Sequence, residues 1–250
     1  MFTMHISYKE RGFQIDWQQP IVLALPLREG TQNPNCYYAE APRFETIRMG
    51  SFVGSVAEGG ACNYQQLTLT PHGNGTHTEC YGHICPDPEA TIAQCLGHTW
   101  GLAEVLSVKP QQRGEDQVIC LEDLQALRRY PDTQALVIRT LPNSPAKATM
   151  QYSNSNPPYF EASIGQYLAE QGLLHWLVDL PSLDREQDGG VLLCHKAFWR
   201  YPAYTRKEAS VSELLYIPDD VEDGLYFIDI QIINIESDAS PSRPLLYRLL

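Results

Sequence analysis

Near the end of the chain, Leu225–Glu236 (LYFIDIQIINIE) alternates apolar and polar side chains over much of its length. Only a β-strand turns successive side chains to opposite faces, so this run predicts a long strand with one buried face. A second pattern lies upstream. Ala103–Val108 (AEVLSV) reads as a strand, and Leu121–Tyr130 carries Leu121, Leu124 and Leu127 at helical spacing. Gln134–Thr140 is again a strand, with Val137 and Ile138 consecutive and apolar. Ser163–Gln171 reads as a helix ending near Gly172, and Leu173–Leu180 as a further buried strand. Strands and helices in turn predict an α/β arrangement, and the strand-rich ends predict a mixed central sheet or barrel-like core flanked by helices. Ile21–Leu27 is expected to be a buried strand that stops at Pro26. Residues 28–62 are rich in Gly, Pro, Asn and Glu and read as a long irregular excursion. Tyr64–Thr70 then predicts a strand feeding into Pro71–Gly75. No Pro/Gly/Ser linker divides the chain, so residues 1–250 are expected to form one domain.

Charge narrows the function classes. The chain has 18 basic and 30 acidic residues, a formal net charge of −12. A nucleic-acid binder or a polybasic membrane-surface protein carries the opposite balance. The 43% apolar content is enough for a sizeable core. No apolar run approaches the roughly 20 residues that span a bilayer, and residues 1–17 hold no signal-peptide core. The 7 cysteines are scattered and contain no C-x-x-C pair. Free thiols in a reducing cytoplasm are therefore expected.

The chemistry concentrates in one segment. His72, His77 and His83 lie within Pro71–His83 (PHGNGTHTECYGH), three of the chain's 7 histidines. On an extended backbone His77 and Glu79 point to the same side, about 7 Å apart, and can converge on one cation. Glycines at 73, 75 and 82 let the backbone bend or approach a ligand closely. Neutral imidazole with carboxylate suits zinc, manganese or iron. Such an ion lowers the pKa of bound water and polarises a carbonyl. Read alone, the segment also suits a surface turn or hydrogen-bonded core histidines. The sharper motifs are missing: there is no H-E-x-x-H, no P-C-x-x-C after the H-x-E, no G-x-S-x-G, no Walker A sequence and no G-x-G-x-x-G.

Gly75-Thr76-His77-Thr78-Glu79 followed by His83 resembles the H-x-G-T-H-x-D-x-P-x-H signature of the cyclase family, which includes bacterial metal-dependent kynurenine formamidases and isatin hydrolases. Ala135–Thr140 (ALVIRT) resembles that family's strand ending in R-T-G. Asp179, Pro181, Ser182 and Asp184 resemble its G-x-D-x-x-S-x-D segment. His195 and Glu213-Leu214 fall where the family has a later histidine and an E-N-L glutamate. The resemblance implies a swivelling β/α/β fold and one or two divalent metals, Zn or Mn, per chain. It implies His77, Glu79, His195, Glu213 and His72 as ligands and His83 as the acid/base. The family's first histidine stands four residues before His77, where this chain has Gly73, and His72 sits one residue earlier. On a continuous strand that parity would turn His72 to the opposite face unless a bulge at Gly73 restored it. Asn74 is an alternative oxygen donor, and Glu208 competes with Glu213. Glu79 replaces the family's Asp, and Tyr81 its Pro.

The resemblance also implies an activity: hydrolysis of a small amide, first of all N-formylkynurenine to kynurenine plus formate. The alternatives are a cyclic amide such as isatin or a lactone, or a non-catalytic metal- or ligand-binding member. A homo-oligomer, dimer or tetramer, is expected. Tyr37, Tyr38, Tyr81, Trp199 and Tyr201 are candidate ring contacts. His98 and His175 read as structural, Asp179 and Ser182 as turn caps.

Overall fold

The computed structural model describes residues 3–8 and 10–250. Its centre is a mixed sheet built from β1 (Ile21–Val22), β2 (His77–Glu79), β3 (Trp100–Val108), β4 (Ala135–Thr140), β5 (His175–Val178), β6 (Ser210–Glu213), β7 (Gly224–Ile232) and β8 (Ala239–Arg248). The order is β7-β3-β4-β5-β6-β2-β8-β1, and β7 also pairs with β8. That last pairing closes seven strands into a barrel, with β1 as an appendage on β8.

Helices α1 (Leu121–Leu127), α2 (Ala162–Glu170) and α3 (Leu193–Trp199) connect β3 to β4, β5 and β6. Each crossover returns the chain parallel to the strand before it, the geometry that a helix packed on a sheet face permits. The remaining barrel pairings are antiparallel.

The alternation of side chains sorts the core into two layers. Leu106, Leu136, Ile138, Trp176 and Val178 pack under the helices with Ile164, Leu168, Phe198 and Trp199. Their neighbours Val105, Ala135, Val137 and Leu177 turn the other way and meet Leu23, Ile228, Ile230 and Leu246 in the barrel interior. This explains the unbroken apolar runs: β4 is buried at every position because both of its faces are covered.

The expected elements over 103–236 are present with boundaries shifted by a few residues. Earlier segments differ. The Ile21–Leu27 strand shortens to Ile21–Val22 at the sheet edge. Tyr64–Thr70 yields a strand only over Gln65–Thr68, exposed throughout. It pairs with Arg43–Thr46 inside the stretch read as irregular. No helix among the described residues is long and apolar enough to cross a membrane.

Helices α2 and α3 touch at Gly165. A Cβ there would stand 2.5 Å from the Cys194 carbonyl oxygen and 3.0 Å from the Phe198 nitrogen. Both are backbone atoms and cannot swing aside. Alanine normally gains about 1 kcal/mol over glycine in a helix, but overpacking costs about 1–3 kcal/mol. Gly165→Ala is therefore expected to lower the denaturation midpoint. An unchanged or raised midpoint would show that the two helices separate freely.

Candidate metal centre

Strand β2 is short and buried at all three positions. It lies between β6 and β8. Its register sets Glu213 opposite His77 and Ser212 opposite Thr78. Residues directly opposite share a face. Accordingly Thr78 Oγ1 meets Ser212 Oγ at 2.7 Å on one side, while His77 Nε2 approaches Glu213 Oε2 to 3.4 Å on the other. Glu79 shares the His77 face, as the period of two requires. It meets His195 of α3, with Glu79 Oε1 3.1 Å from His195 Nε2. His195 Nε2 is also 3.5 Å from Glu213 Oε1.

His72 reaches the same place by another route. Pro71–Asn74 is a single helical turn with proline in its first turn, so the strand-parity argument does not apply. The turn brings His72 Nδ1 to 3.1 Å from Glu79 Oε2 without a bulge. His83 stands on the 3₁₀ turn Tyr81–Ile84, its Nδ1 3.8 Å from Glu79 Oε2. His72, His77 and Glu79 thus converge, as do Glu79, His83 and His195, each trio with ligand atoms within 4.8 Å of one another.

Three imidazoles have one nitrogen tied down and the other turned inward. His77 Nδ1 donates to the Gly75 carbonyl at 3.0 Å. His195 Nδ1 is 2.6 Å from Asp184 Oδ2. His72 Nε2 is 2.8 Å from Asp238 Oδ2. Anchoring the outer N–H in this way selects the tautomer whose lone pair faces the centre, which is how metal-bound histidines are oriented. Two inward atoms, His77 Nε2 and Glu79 Oε2, are fully buried and make no well-formed hydrogen bond, although Glu213 Oε2 stands 3.4 Å from the first and His72 Nδ1 3.1 Å from the second. Groups so placed cost free energy unless something compensates them. A divalent cation would supply that compensation, and the donor set fits one.

Asp184 also fixes α3. Its two oxygens accept from the backbone N–H groups of Cys194 at 2.7 Å and His195 at 3.1 Å. Trp199 backs the imidazole, with ring centroids 5.4 Å apart.

The electrostatics follow the contacts. Burial opposes charge on Glu79, but the His83, His195 and His72 imidazoles around it hold its carboxyl well below the usual range. Burial likewise opposes a charged His72, yet the Asp238 and Glu79 contacts outweigh it and raise its pKa to about 10. His195 is pushed well above its ordinary value against burial, by Asp184, then Glu213 and Glu79. The metal-free cluster therefore holds protons at neutral pH. A cation must displace them, so binding should release protons and tighten as pH rises from near 6.5 toward about 10. Calorimetry in buffers of different ionisation enthalpy checks this; a heat independent of buffer would contradict it.

Other candidates lie elsewhere. Glu208 is exposed in a turn, whereas Glu213 lies on the buried β6. Asn74 does not face the cluster: it accepts from the Thr70 N–H at 2.6 Å and donates to the Glu40 carbonyl at 2.9 Å. His98 is exposed against Trp100. His175 is buried with Nδ1 2.8 Å from Ser210 Oγ, and burial lowers its pKa to about 4. Asp179 accepts from the Thr140 N–H and from Lys147 Nζ, tying two strand ends. Ser182 Oγ accepts from the Asp184 N–H at 3.2 Å. Of the aromatics, Tyr81 and Trp199 are buried and Tyr201 packs against the core. Tyr38 is mostly exposed. Tyr37 is half-exposed with a left-handed backbone (φ 53°), its phenol beside Ser182 and near the Glu213 charge.

Residues 15–185 match the Putative cyclase family. The chain belongs to the cyclase family. Solved structures share its fold across nearly the whole cyclase chain. Isatin hydrolase A from Labrenzia aggregata, bound to benzyl benzoate, superposes with a TM-score of 0.66 at 14% identity, covering 92% of this chain and 93% of that one. Isatin hydrolase A from Ralstonia solanacearum gives 0.61 at 16% identity, with 92% and 91% covered. A potential metal-dependent hydrolase with cyclase activity gives 0.62 at 19% identity, with 92% and 98% covered. No curated protein sequence matches this cyclase.

Proposed function

We propose that this cyclase is a metal-dependent hydrolase of a small amide, and that an aryl-formamide such as N-formylkynurenine is the first substrate to try. One observation carries the reading: three anchored imidazoles and two carboxylates, Glu79 and Glu213, turn inward on one buried point where His77 Nε2 and Glu79 Oε2 make no well-formed hydrogen bond. The ligands in this reading are His72, His77, Glu79, His195 and Glu213, and imidazole with carboxylate suits zinc or manganese.

When bound, the cation lowers the pKa of a water molecule and polarises the scissile carbonyl. His83 stands at the edge of the cluster with its side chain 27% exposed, between the buried carboxylates and solvent. It takes a proton from the attacking water and returns one to the leaving nitrogen. Water adds to the formyl carbon, the C–N bond breaks, and formate and the aromatic amine depart. Two arguments favour an aryl-formamide. The formyl group is small, and an aromatic amine leaves more readily than an alkyl one. Tyr37 offers a half-exposed ring beside the site. The second reading, a cyclic amide such as isatin, is favoured by the isatin hydrolases that share the fold.

The test is elemental analysis of purified protein together with turnover on N-formylkynurenine and isatin. About one or two divalent ions per chain and hydrolysis of the formamide are expected. Absence of metal after supplementation would sink the enzyme reading. Bound metal without turnover of either amide would leave a metal-binding family member.

A further inference from the structure

A second set of ligand atoms meets on the solvent side of the cluster. Asp238 Oδ2 is 2.8 Å from His72 Nε2 and 3.6 Å from His83 Nδ1. All three lie within 4.8 Å of one another, and the two rings have centroids 4.4 Å apart. The side chains of His72, His83 and Asp238 are 25%, 27% and 37% exposed, so a hydrated ion can reach them without entering the buried centre. Asp238 immediately precedes β8, and its own carbonyl accepts from the Cys80 N–H at 2.9 Å. The backbone of Asp238 is thus pinned to the end of β2, while His83 stands on the turn that follows.

Two imidazoles and a carboxylate form a donor set for a first-row divalent cation. Donors about 2.1 Å from a tetrahedral ion sit roughly 3.4 Å apart. The His83–Asp238 pair is already near that spacing, and the His72–Asp238 pair reaches it once the proton between them is displaced. His72 presents Nδ1 to the buried centre and Nε2 outward, and His83 Nδ1 stands between them, 3.8 Å from Glu79 Oε2 and 3.6 Å from Asp238 Oδ2.

We propose that His72, His83 and Asp238 form a second, weaker divalent-cation site at the mouth of the centre, and that filling it inhibits the enzyme. The inhibitory part rests on the hydrolase reading above; the binding part does not. Two physical consequences lead to inhibition. A cation on His83 Nδ1 occupies the lone pair needed for proton transfer. A neutral imidazole has one lone pair, so a cation on His72 Nε2 draws that ring from the inner centre, which keeps His77, His195, Glu79 and Glu213.

Equilibrium dialysis against rising free zinc, with bound metal and turnover measured at each step, tests the site. The tight ions should bind first. One further equivalent should follow at least about 100-fold more weakly, and turnover should fall as it fills and recover on removal of the excess. Asp238→Asn should weaken the further equivalent about 10-fold or more, and His83→Ala should abolish it while the tight ions stay bound. No further equivalent at about a thousandfold zinc excess overturns the proposal. So does a further equivalent that persists unchanged in both variants, or one that fills without loss of turnover. Failure of the tight ions to bind counts against the hydrolase reading; failure of the further one alone counts only against the outer site.

Discussion

Glu79→Gln is expected to empty the metal centre and abolish turnover. The substitution keeps the side chain's shape and removes its charge. Glu79 is fully buried and is the hub of the cluster, with one oxygen 3.1 Å from His195 and the other 3.1 Å from His72. A glutamine amide would present an N–H₂ that donates to the inward lone pair of one of these imidazoles, occupying the electron pair a cation needs. Changing even an outer partner of a metal ligand typically costs 10–100-fold in affinity, so loss of this carboxylate should exceed about 100-fold. The effect extends to stability. A ligand present at about 1,000 times its Kd stabilises the native state by about 4 kcal/mol, and the variant forfeits that increment. Metal content by elemental analysis and the melting temperature with and without added zinc are the readouts. A Glu79→Gln protein that keeps its metal and its metal-dependent melting shift would remove Glu79 from the centre.

His83→Ala should do the opposite: leave the tight metal in place and lower turnover by about 10²–10⁴-fold, the usual contribution of a positioned acid/base. His83 lies farther from Glu79 than do His72 and His195, 3.8 Å against 3.1 Å. Its ring is partly open to solvent, whereas His77 and His195 are buried. These features suit a group that exchanges protons with substrate and water. Elemental analysis decides the matter alongside kinetics. Metal lost in proportion to activity would make His83 a ligand, and full activity would remove it from the reaction.

How far residues alone lead is visible in particular side chains. His77 and Glu79 are two apart, and a strand turns residues two apart to the same side. Their shared face needed no knowledge of the rest of the chain. His72 shows the limit of the same rule. Parity assumes an unbroken strand, but Pro71 favours a helical turn, and that turn carries His72 to Glu79 from a different direction. Asp184 has no role legible in the sequence, because nothing local to it shows that α3 docks its first backbone N–H groups and His195 onto the carboxylate. Asp238 carried no signal at all. It stands between Ser237 and Ala239 at the head of the C-terminal tail, far in sequence from the histidine segment. Glu208 and Glu213 are equally carboxylates in sequence; burial on β6 and register opposite His77 separate them.

Periodicity and residue chemistry by themselves thus determined the α/β order over residues 103–180, the long strand near the end, and the imidazole and carboxylate types in the glycine-flanked segment. Each depends on neighbours a few positions away, where covalent geometry dictates direction. Tertiary structure alone decided that β7 pairs with β8 to close the barrel, that α3 delivers His195 to Glu79, and which carboxylates anchor the outer nitrogens. Those contacts join residues more than a hundred positions apart in the case of Glu79 and His195. They exist only because strand pairing and helix packing bury the apolar faces together, and the energy of that burial carries no local mark in the chain.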